Sequence, residues 1–382
     1  MTGTRVLHII TGLAHGGAER QLALLLRHLP VESEVAVLTR AGALGESIRA
    51  LGVPVHEIGM CGNRDFAALP RLVRLIRRGR YDVVHTHLYR ACVYGRVAAR
   101  MAGVTHIVAT EHSLGDGHIE GRRTTSGVRM LYRATERLGT ATVAVSPTVA
   151  RRLRGWGVPP DRLVTIPNSI DPSAYVFDAV QRAATRERLG IGTDAFVIGT
   201  VGRLVPTKRL DLLINAFARA DTRTENRATL LIVGEGPSRP ALEDLAWSSG
   251  GRIVFAGDTA DVAGALAAMD LFAAPSTQET FGLSVLEALA SGLPVLYTAC
   301  PALDDLPAPS SALQARRLPT RVAAWAAALA EHSRSGSQVR HVPPPAVDHY
   351  AVDAHAERLT ALYQDGPAAV LPVRPDLSRT SF

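Results

Sequence analysis

Two successive runs of alternating strand-like and helix-like segments constrain the fold of this chain most strongly. In each run, short apolar stretches are followed by longer stretches whose apolar residues have helical spacing. Strands that alternate with helices form parallel sheets with helices on both faces. The sequence therefore predicts an α/β protein with two doubly wound parallel-sheet domains, and 382 residues are long enough to form them.

The predicted strands define the two domains. In the first run they lie at Arg5–Ile10, Glu34–Leu38, Val55–Ile58, Asp82–Thr86, His106–Ala109, Thr142–Ser146 and Leu163–Ile166. In the second run they lie at Phe196–Val201, Thr229–Val233, Arg252–Ala256, Leu271–Ala274 and Pro294–Thr298. Regular periodicity lapses between 171 and 192, so we predict domains at 1–180 and 181–349. The Pro-containing tail, 366–382, is predicted to be disordered.

Two carboxylates border a loop and the start of a helix between residues 275 and 296. Glu279 lies in the loop, and Glu287 lies about one turn inside the helix, where side chains lean back toward the N-terminus. Both can face the space where the free amides of residues 281–283 converge. A ligand with central phosphates and hydroxyls at both ends, such as a nucleotide sugar, suits this arrangement. Without its surroundings, such a pair is more often two ordinary surface charges.

The surroundings of the two carboxylates resemble the signature of glycosyltransferase family 4, whose members are retaining enzymes of the GT-B fold. The matching residues are Glu279, Phe281, Gly282, Leu283, Glu287, Ala288, Gly292 and Pro294. The resemblance implies two Rossmann-like domains that face each other across a cleft, with a helix at about 350–365 that returns to the first domain. It also implies that Glu279 and the amides after it hold the donor sugar and that Glu287 binds the ribose hydroxyls.

Lysine is rare in this chain, because 41 of the 42 basic side chains are arginine and only Lys208 is lysine. Arg203 and Lys208 lie between a predicted strand and a predicted helix. Two cations beside a helix N-terminus can neutralise the charge that builds on a departing diphosphate without a metal. The family motif has a lysine at this position, so the resemblance implies that Arg203 and Lys208 are catalytic. No D-x-D pair occurs, and no metal or cofactor is expected.

Three further turns contain candidate ligand-binding residues. Gly16 and Gly17 open a helix after the first strand, which is compatible either with phosphate binding or with a tight turn. The resemblance implies that this turn faces the donor. It also implies that the backbone of Gly257, Asp258 and Val262 borders the nucleotide base. Gly234 and Gly236 are disfavoured as a nicotinamide site, because the third glycine position of that fingerprint is an arginine.

Histidines follow two of the predicted strands. His112 lies at the carboxyl end of its strand, where open parallel sheets bind ligands, although a hydrogen-bonded structural histidine is the alternative. The resemblance implies that the His112 imidazole lies beside the donor sugar and is catalytic. His85 and His87 have the spacing of a metal site, but no further ligand cluster is expected near them. A structural or acceptor-side role is therefore predicted for this pair.

The basic charge is concentrated in the first domain, where residues 1–180 contain 23 arginines and 14 acidic side chains. A solvated surface is one interpretation, and attraction to an anionic lipid or acceptor is the other. The predicted helix Leu69–Arg80 is amphipathic and arginine-rich, which is typical of a packed surface helix, with peripheral membrane contact as the alternative. Aromatic residues make up 5% of the chain and no stacking pattern occurs, so nucleic acid is not an expected partner.

The cellular location follows from cysteine use and hydropathy. Cys61, Cys92 and Cys300 form no paired motif and are interpreted as reduced thiols of a cytoplasmic protein. Glycines and charged residues interrupt the apolar N-terminal stretch, and no apolar run is long enough to cross a bilayer. The predicted location is the cytoplasm, with peripheral contact at the inner membrane surface as an alternative.

The resemblance implies a retaining hexosyltransferase that uses a nucleotide diphosphate sugar, UDP-linked by expectation, and the absence of a D-x-D pair predicts that it needs no metal. The acceptor is a glycan, a lipid-linked sugar or a natural product, as in bacterial polysaccharide or natural-product biosynthesis. The alternative is a GT-B epimerase or hydrolase of nucleotide sugars, which would share the fold and the phosphate-binding residues. Residues 299–319 depart from the family pattern, so their shape is not predicted.

Overall fold

The chain divides into two compact units. The computed structural model describes residues 3–14, 16–120, 122–220, 228–306, 314–336 and 338–370. The N-terminal unit contains the residues up to Ser169 together with those from Tyr350 onward, and the C-terminal unit is Ile170–His349. Among the described residues, no helix is both long enough and apolar enough to span a bilayer.

The N-terminal unit is built around a parallel sheet. Its strands are β1 (Arg5–Ile10), β2 (Glu32–Val37), β3 (Val55–Glu57), β4 (Val83–His87), β5 (His106–Glu111), β6 (His118–Ile119), β7 (Arg122–Arg123), β8 (Ala141–Ala144) and β9 (Leu163–Thr165). Its first helices are α1 (Gly17–His28), α2 (Gly42–Ala50), α3 (Ala68–Gly79), α4 (Tyr89–Ala102), α5 (Ser126–Glu136) and α6 (Pro147–Trp156). The sheet order is β3-β2-β1-β4-β5-β8-β9, so the order reverses between β1 and β4. The short strands β6 and β7 form a separate antiparallel pair.

The C-terminal unit contains the strands β10 (Val197–Val201), β11 (Thr229–Val233), β12 (Ile253–Gly257), β13 (Leu271–Ala274), β14 (Val295–Tyr297) and β15 (Ala315–Arg317). They form a second parallel sheet of order β12-β11-β10-β13-β14-β15 in this unit. Its helices are α7 (Ala179–Arg188), α8 (Leu210–Arg219), α9 (Arg239–Ser249), α10 (Val262–Ala268), α11 (Leu283–Ala290), α12 (Pro301–Asp304), α13 (Val322–Ser335) and α14 (Pro345–His349), with 3₁₀ helices at Pro172–Tyr175 and Pro206–Lys208. This order reverses between β10 and β13.

The last helix, α15 (Val352–Asp365), belongs to the N-terminal unit. Leu359 and Tyr363 of α15 pack with Val6 of β1 and Val83 of β4. In the predicted disordered tail, 366–382, a 3₁₀ turn at Pro367–Ala369 follows α15. Residues 371–382 of that tail lie outside the described residues.

Every strand predicted from the sequence is present, and three have the predicted bounds: β1, β11 and β13. Buried strands of a parallel sheet are apolar on both faces, which gives a strong local signal. β6, β7 and β15 were not predicted, because they are two or three residues long and polar. The division between the units falls before residue 170, ahead of the predicted 180/181. The reason is that the 3₁₀ helix Pro172–Tyr175 contacts α11, where the Tyr175 hydroxyl donates to Glu287 Oε1 at 3.1 Å. α7, which follows, is tied to the second sheet by Arg182 and Arg186, whose guanidinium groups donate to the buried Asp270 at 2.6 and 2.8 Å.

Candidate functional site

The strongest site candidate lies at the carboxyl edge of the second sheet, where the strand order reverses. β10 and β13 are neighbours there, with Ile198 paired to Leu271. Open α/β sheets bind ligands at such a point, because the loops on either side diverge and leave a crevice. The two loops are joined by a hydrogen bond from the Thr277 amide to the Thr207 carbonyl, 3.0 Å long. Residues separated by 70 positions in sequence are thereby held together.

Lys208 and Glu279 meet between these loops. The Lys208 Nζ donates to Glu279 Oε1 at 2.5 Å, and the two side chains are 25% and 16% exposed. A charge-assisted hydrogen bond of this kind fixes the ammonium group in one position. The sequence-predicted cation and carboxylate therefore form one partly buried pair. Arg203 lies in the same loop as Lys208, with an exposed side chain.

Two glycines explain how the Arg203–Lys208 loop is supported. A Cβ at Gly234 would lie 2.0 Å from the Gly202 carbonyl oxygen, and a Cβ at Gly236 would lie 2.4 Å from that of Leu204. The turn after β11 therefore packs directly against the backbone of the loop, as only glycine allows. The Leu204 amide also donates to the Glu235 carbonyl at 2.9 Å. These glycines, which resemble a cofactor motif in the sequence, serve loop packing.

Phe281, Gly282 and Leu283 connect the Glu279 loop to α11. Phe281 is buried, and Gly282 is the N-cap of α11 at φ +106°, a conformation that side chains disfavour. Because α11 begins at Leu283, the first backbone amides of this helix lie next to the turn. A Cβ at Gly282 would lie 2.5 Å from the Cys300 Sγ. Cys300, in the atypical 299–319 segment, therefore packs against this turn.

We expect Gly282→Ala to destabilise the protein by about 2 to 4 kcal/mol, because it combines an unfavourable φ with the overlap on Cys300. Urea unfolding would measure this effect. In the Cys300→Ala background, Gly282→Ala should reduce the free energy of unfolding by less, because the Sγ that the new Cβ would overlap is absent and only the unfavourable φ contributes. Equal costs in both backgrounds would contradict a role for the Cys300 contact.

Glu287 is buried inside α11, with 4% of its surface exposed. The Tyr175 hydroxyl donates to Glu287 Oε1 at 3.1 Å. Tyr175 comes from the 3₁₀ helix Pro172–Tyr175, 112 residues earlier in the chain. Sequence reasoning missed it, because no local pattern relates the two residues. The contact orients one carboxylate oxygen of a predicted ligand-binding residue.

Asp258 and Val262 lie after β12, which is separated from β10 by β11. The Asp258 carboxylate is exposed and accepts from the Thr259 amide at 3.1 Å. Val262 begins α10 and its side chain is buried. The buried side chain leaves only the backbone of Val262 available to a ligand at this position. Neither residue shares a described hydrogen bond with Lys208 or Glu279.

In the N-terminal unit, Gly16 is the N-cap of α1 and Gly17 is its first residue. A Cβ at Gly16 would collide with the Glu19 carboxylate, so the glycine leaves space for that side chain against the first turn. A carboxylate at this position stabilises the positive end of the helix. A phosphate at the same turn would have to displace or repel Glu19.

His112 follows β5 and is 8% exposed. Burial lowers its pKa to about 4, so the imidazole is neutral at pH 7. Its Nε2 lies 3.2 Å from Nδ1 of His87. His112 is therefore both a strand-end residue, as predicted, and part of a group of buried histidines.

The sequence-based expectation that no further ligand lies near His85 and His87 is wrong. His8 of β1 is paired in register with His85 of β4, and its Nδ1 lies 3.2 Å from His87 Nε2. The three residues each offer a ring nitrogen within 4.8 Å of the others. The sequence gives no sign of this group, because it depends on β1 and β4 being adjacent.

Two family models match the chain in succession. The model described as Glycosyltransferase Family 4 matches residues 15–174, and the model described as Glycosyl transferases group 1 matches residues 195–333. The matches therefore lie in the two units in turn, apart from the first residues of the C-terminal unit.

Two curated relatives are similar over about two thirds of the chain. The UDP-Gal:alpha-D-GlcNAc-diphosphoundecaprenol alpha-1,3-galactosyltransferase of Escherichia coli is 29% identical over 275 residues, which is 67% of this chain and 67% of that protein. The D-inositol 3-phosphate glycosyltransferase of Streptosporangium roseum is 33% identical over 300 residues, which is 70% of this chain and 65% of that protein. The similarity thus spans about two thirds of each relative's own length.

Solved structures are similar over almost the whole chain. HepE of Anabaena, in complex with UDP and glucose, has a TM-score of 0.78 at 20% identity and covers 93% of this chain and 98% of its own. The sucrose-phosphate synthase of Thermosynechococcus elongatus has a TM-score of 0.74 at 20% identity and covers 96% of this chain and 100% of its own. At this identity the likeness concerns the fold.

Proposed function

Because this chain belongs to glycosyltransferase family 4 and has the GT-B fold, we propose that it transfers a hexose from a UDP-linked sugar to an acceptor with retention of anomeric configuration. The observation that carries the proposal is the Lys208–Glu279 pair at the strand-order reversal of the second sheet. It presents a fixed ammonium group where an open sheet binds its ligand. HepE, a neighbour in fold, was solved with UDP and glucose, which supports the choice of UDP.

Each site residue has a proposed role in the reaction. Lys208 and Arg203 hold the diphosphate and neutralise the charge that develops as the nucleotide leaves. Glu287 binds the ribose hydroxyls, and Glu279 with the amides after Phe281 holds the sugar. His112 contacts the sugar as a neutral imidazole. The leaving phosphate takes the proton of the acceptor on the same face of the sugar, so no glutamate acts as a covalent nucleophile.

Four further residues are proposed to contact the donor. Gly16 and Gly17 face the donor, while Asp258 and the backbone of Val262 border the base. The proposal includes no cofactor and no divalent metal, because the two cations supply the charge neutralisation that a metal would otherwise give.

The proposed acceptor is anionic. The names of the two relatives specify a diphosphoundecaprenol-linked sugar and an inositol phosphate. Residues 1–180 of this chain carry 23 arginines and 14 acidic groups, a balance that attracts such acceptors. A groove of about 480 Å³ beside α3 is lined by apolar residues together with Arg74, Arg77 and Arg78. That combination supports peripheral contact with an anionic membrane, where a lipid-linked acceptor would be found.

The test is product analysis with UDP-glucose, UDP-galactose and UDP-N-acetylglucosamine as donors. D-inositol 3-phosphate and GlcNAc-diphosphoundecaprenol serve as acceptors, since the relatives are named for them. We expect an α-linked product, identified from its anomeric proton coupling in NMR, and a rate that EDTA leaves unchanged. A β-linked product would contradict retention. Release of UDP or epimerisation of the sugar without any acceptor would favour the hydrolase or epimerase alternative.

A further inference from the structure

Three buried imidazoles form a continuous hydrogen-bonded chain that ends at His112. His8 Nδ1 lies 3.2 Å from His87 Nε2, and His87 Nδ1 lies 3.2 Å from His112 Nε2. The planes of neighbouring rings are inclined by only 26° and 29°, and the ring centroids are 5.5 Å apart, so the rings meet edge to edge. We call His8, His87 and His112 the imidazole chain.

The sheet geometry explains why the imidazole chain is buried. Alternate residues of a strand face the same side, so His8 shares a face with Val6, and His85 and His87 share one with Val83. The valines pack beneath α1 and α15 in the apolar core. The histidines form the next layers of the same face, toward the carboxyl ends of β1 and β4. The strand order reverses between these two strands, which is where open sheets bind ligands.

The three rings of the imidazole chain have restricted protonation states. Burial lowers the pKa of His8 to about 3 and that of His87 well below its ordinary value, so the rings are neutral at pH 7. A neutral imidazole has one N–H donor and one acceptor nitrogen. Each junction of the chain needs one donor and one acceptor, so all three rings must carry their proton on the same type of nitrogen. The tautomer of His8 therefore dictates the tautomer of His112.

The two ends of the chain are its unsatisfied positions. Among the described residues, His8 Nε2 and His112 Nδ1 are buried without a hydrogen-bond partner. An unpaired polar atom in the interior is costly unless a ligand or a proton transfer uses it. His112 Nδ1 is the end that belongs to a predicted sugar-binding residue, and it is a donor or an acceptor according to the state of the whole chain.

We propose that His87 and His8 are positioning residues for sugar transfer, which fix the ring plane of His112 and couple its tautomer to their own before the donor sugar binds. The inference rests on the proposed function, since it requires His112 to contact that sugar. It adds two residues that do not contact the substrate. Whether His112 Nδ1 donates or accepts a hydrogen bond then depends on the tautomers of all three rings in the imidazole chain.

A metal site at His8, His85 and His87 fits the contacts less well. Both ring nitrogens of His85 already have partners, Tyr363 Oη at 2.6 Å and Thr110 Oγ1 at 2.7 Å. Both nitrogens of His87 belong to the imidazole chain. A metal would therefore have to replace at least two of these hydrogen bonds, because a coordinated nitrogen has no lone pair left to accept one.

Substitutions of His87 separate its two contacts. Asparagine places its amide near the position of Nδ1, so His87→Asn keeps a partner for His112. Glutamine reaches the position of Nε2, so His87→Gln keeps a partner for His8 and leaves His112 without one. His8→Asn and His8→Gln form a second pair of variants. His85→Gln is the matched control, since His85 lies in the same buried layer but bonds to Thr110 and Tyr363.

The first readout is the ring ¹⁵N chemical shifts of histidine-labelled protein without any nucleotide sugar. His112→Gln, which removes one signal, assigns His112. We expect His8, His87 and His112 to have the same tautomer in the parent protein. His87→Gln and His8→Gln should change the tautomer populations of His112, because each variant breaks the link between His8 and His112, while His85→Gln should preserve the shifts of His112. Urea unfolding of each variant tests whether it is folded. If a His87 variant does not fold, His8→Asn and His8→Gln test whether the imidazole chain controls the tautomer of His112.

The second readout is kinetic. His87→Gln should lower kcat/KM for the donor by about tenfold to a hundredfold, because a misoriented contact group loses much of its effect, and His87→Asn should restore most of it. Unchanged kcat/KM in a folded His87→Gln protein whose parent is active would overturn the positioning role. If the parent transfers no sugar at all, the proposed function fails, while the nitrogen shifts still decide whether the chain sets the tautomer of His112.

Two further outcomes would overturn the inference. One is a His112 tautomer that is unchanged in both His87→Gln and His8→Gln. The other is tight binding of one Zn²⁺ per chain in calorimetry with zinc chloride, abolished by His85→Gln, since that result would identify a metal site in place of the chain.

Discussion

Lys208→Ala is expected to lower kcat/KM for the nucleotide sugar by a factor of about 10³. The substitution removes the ammonium group that is fixed 2.5 Å from Glu279, and it leaves that carboxylate without this partner. The diphosphate then meets a negative charge where it had met a positive one. Calorimetry with UDP-sugar and initial rates at several donor concentrations would measure the loss of binding and of turnover separately.

Lys208→Arg and Glu279→Gln are the controls for this experiment. Lys208→Arg keeps the charge but replaces a point charge with a planar group, so its loss should be smaller than that of alanine. In the Glu279→Gln background, Lys208→Ala should cost less, because no carboxylate is left to repel the diphosphate. Parental affinity of Lys208→Ala for UDP-sugar would refute the assignment of the diphosphate site.

Since Lys208 is the one lysine in the sequence, amine-selective acylation gives an independent check on the same site. UDP-sugar should protect this side chain from the reagent, and the N-terminal amine provides the internal reference. Equal acylation of Lys208 with and without the nucleotide would argue against a contact between them.

Glu287→Gln is expected to weaken the binding of UDP and of UDP-sugar by the same factor, about a hundredfold. The physical reason is that a carboxylate accepts two charge-assisted hydrogen bonds from the ribose hydroxyls, and the neutral amide accepts them weakly. The ribose is common to both ligands, so both should lose affinity alike. Inorganic pyrophosphate has no ribose, and its affinity should stay at the parental value.

Tyr175→Phe is the matched variant, because it removes the hydroxyl that donates to Glu287 Oε1 at 3.1 Å and keeps the carboxylate. We expect a loss of UDP affinity of about threefold to tenfold, as for one neutral hydrogen bond. Urea unfolding distinguishes lost binding from lost stability, since Glu287 is buried. A ribose role for Glu287 would be untenable if Glu287→Gln weakened pyrophosphate as much as UDP.

Local sequence patterns determined a large part of this protein. The predicted strands are present because a parallel strand that is buried on both faces must be apolar along its length. The arginine-rich helix predicted at Leu69–Arg80 is present at Ala68–Gly79 for a similar reason, since its apolar residues recur with helical spacing. The window around Glu279 and Glu287 predicted the family, because eight of its positions match the family signature.

Tertiary structure decided which distant residues meet. Glu279 lies 71 positions from Lys208, and His87 lies 79 positions from His8. Each contact depends on which strands are adjacent at the reversal of strand order, and a strand's own sequence does not state its neighbours. The Tyr175–Glu287 contact and the ties of α7 to Asp270 depend in the same way on packing across the C-terminal unit. The sequence by itself determined the elements and the chemical groups, and the order of the strands determined the pairs they form.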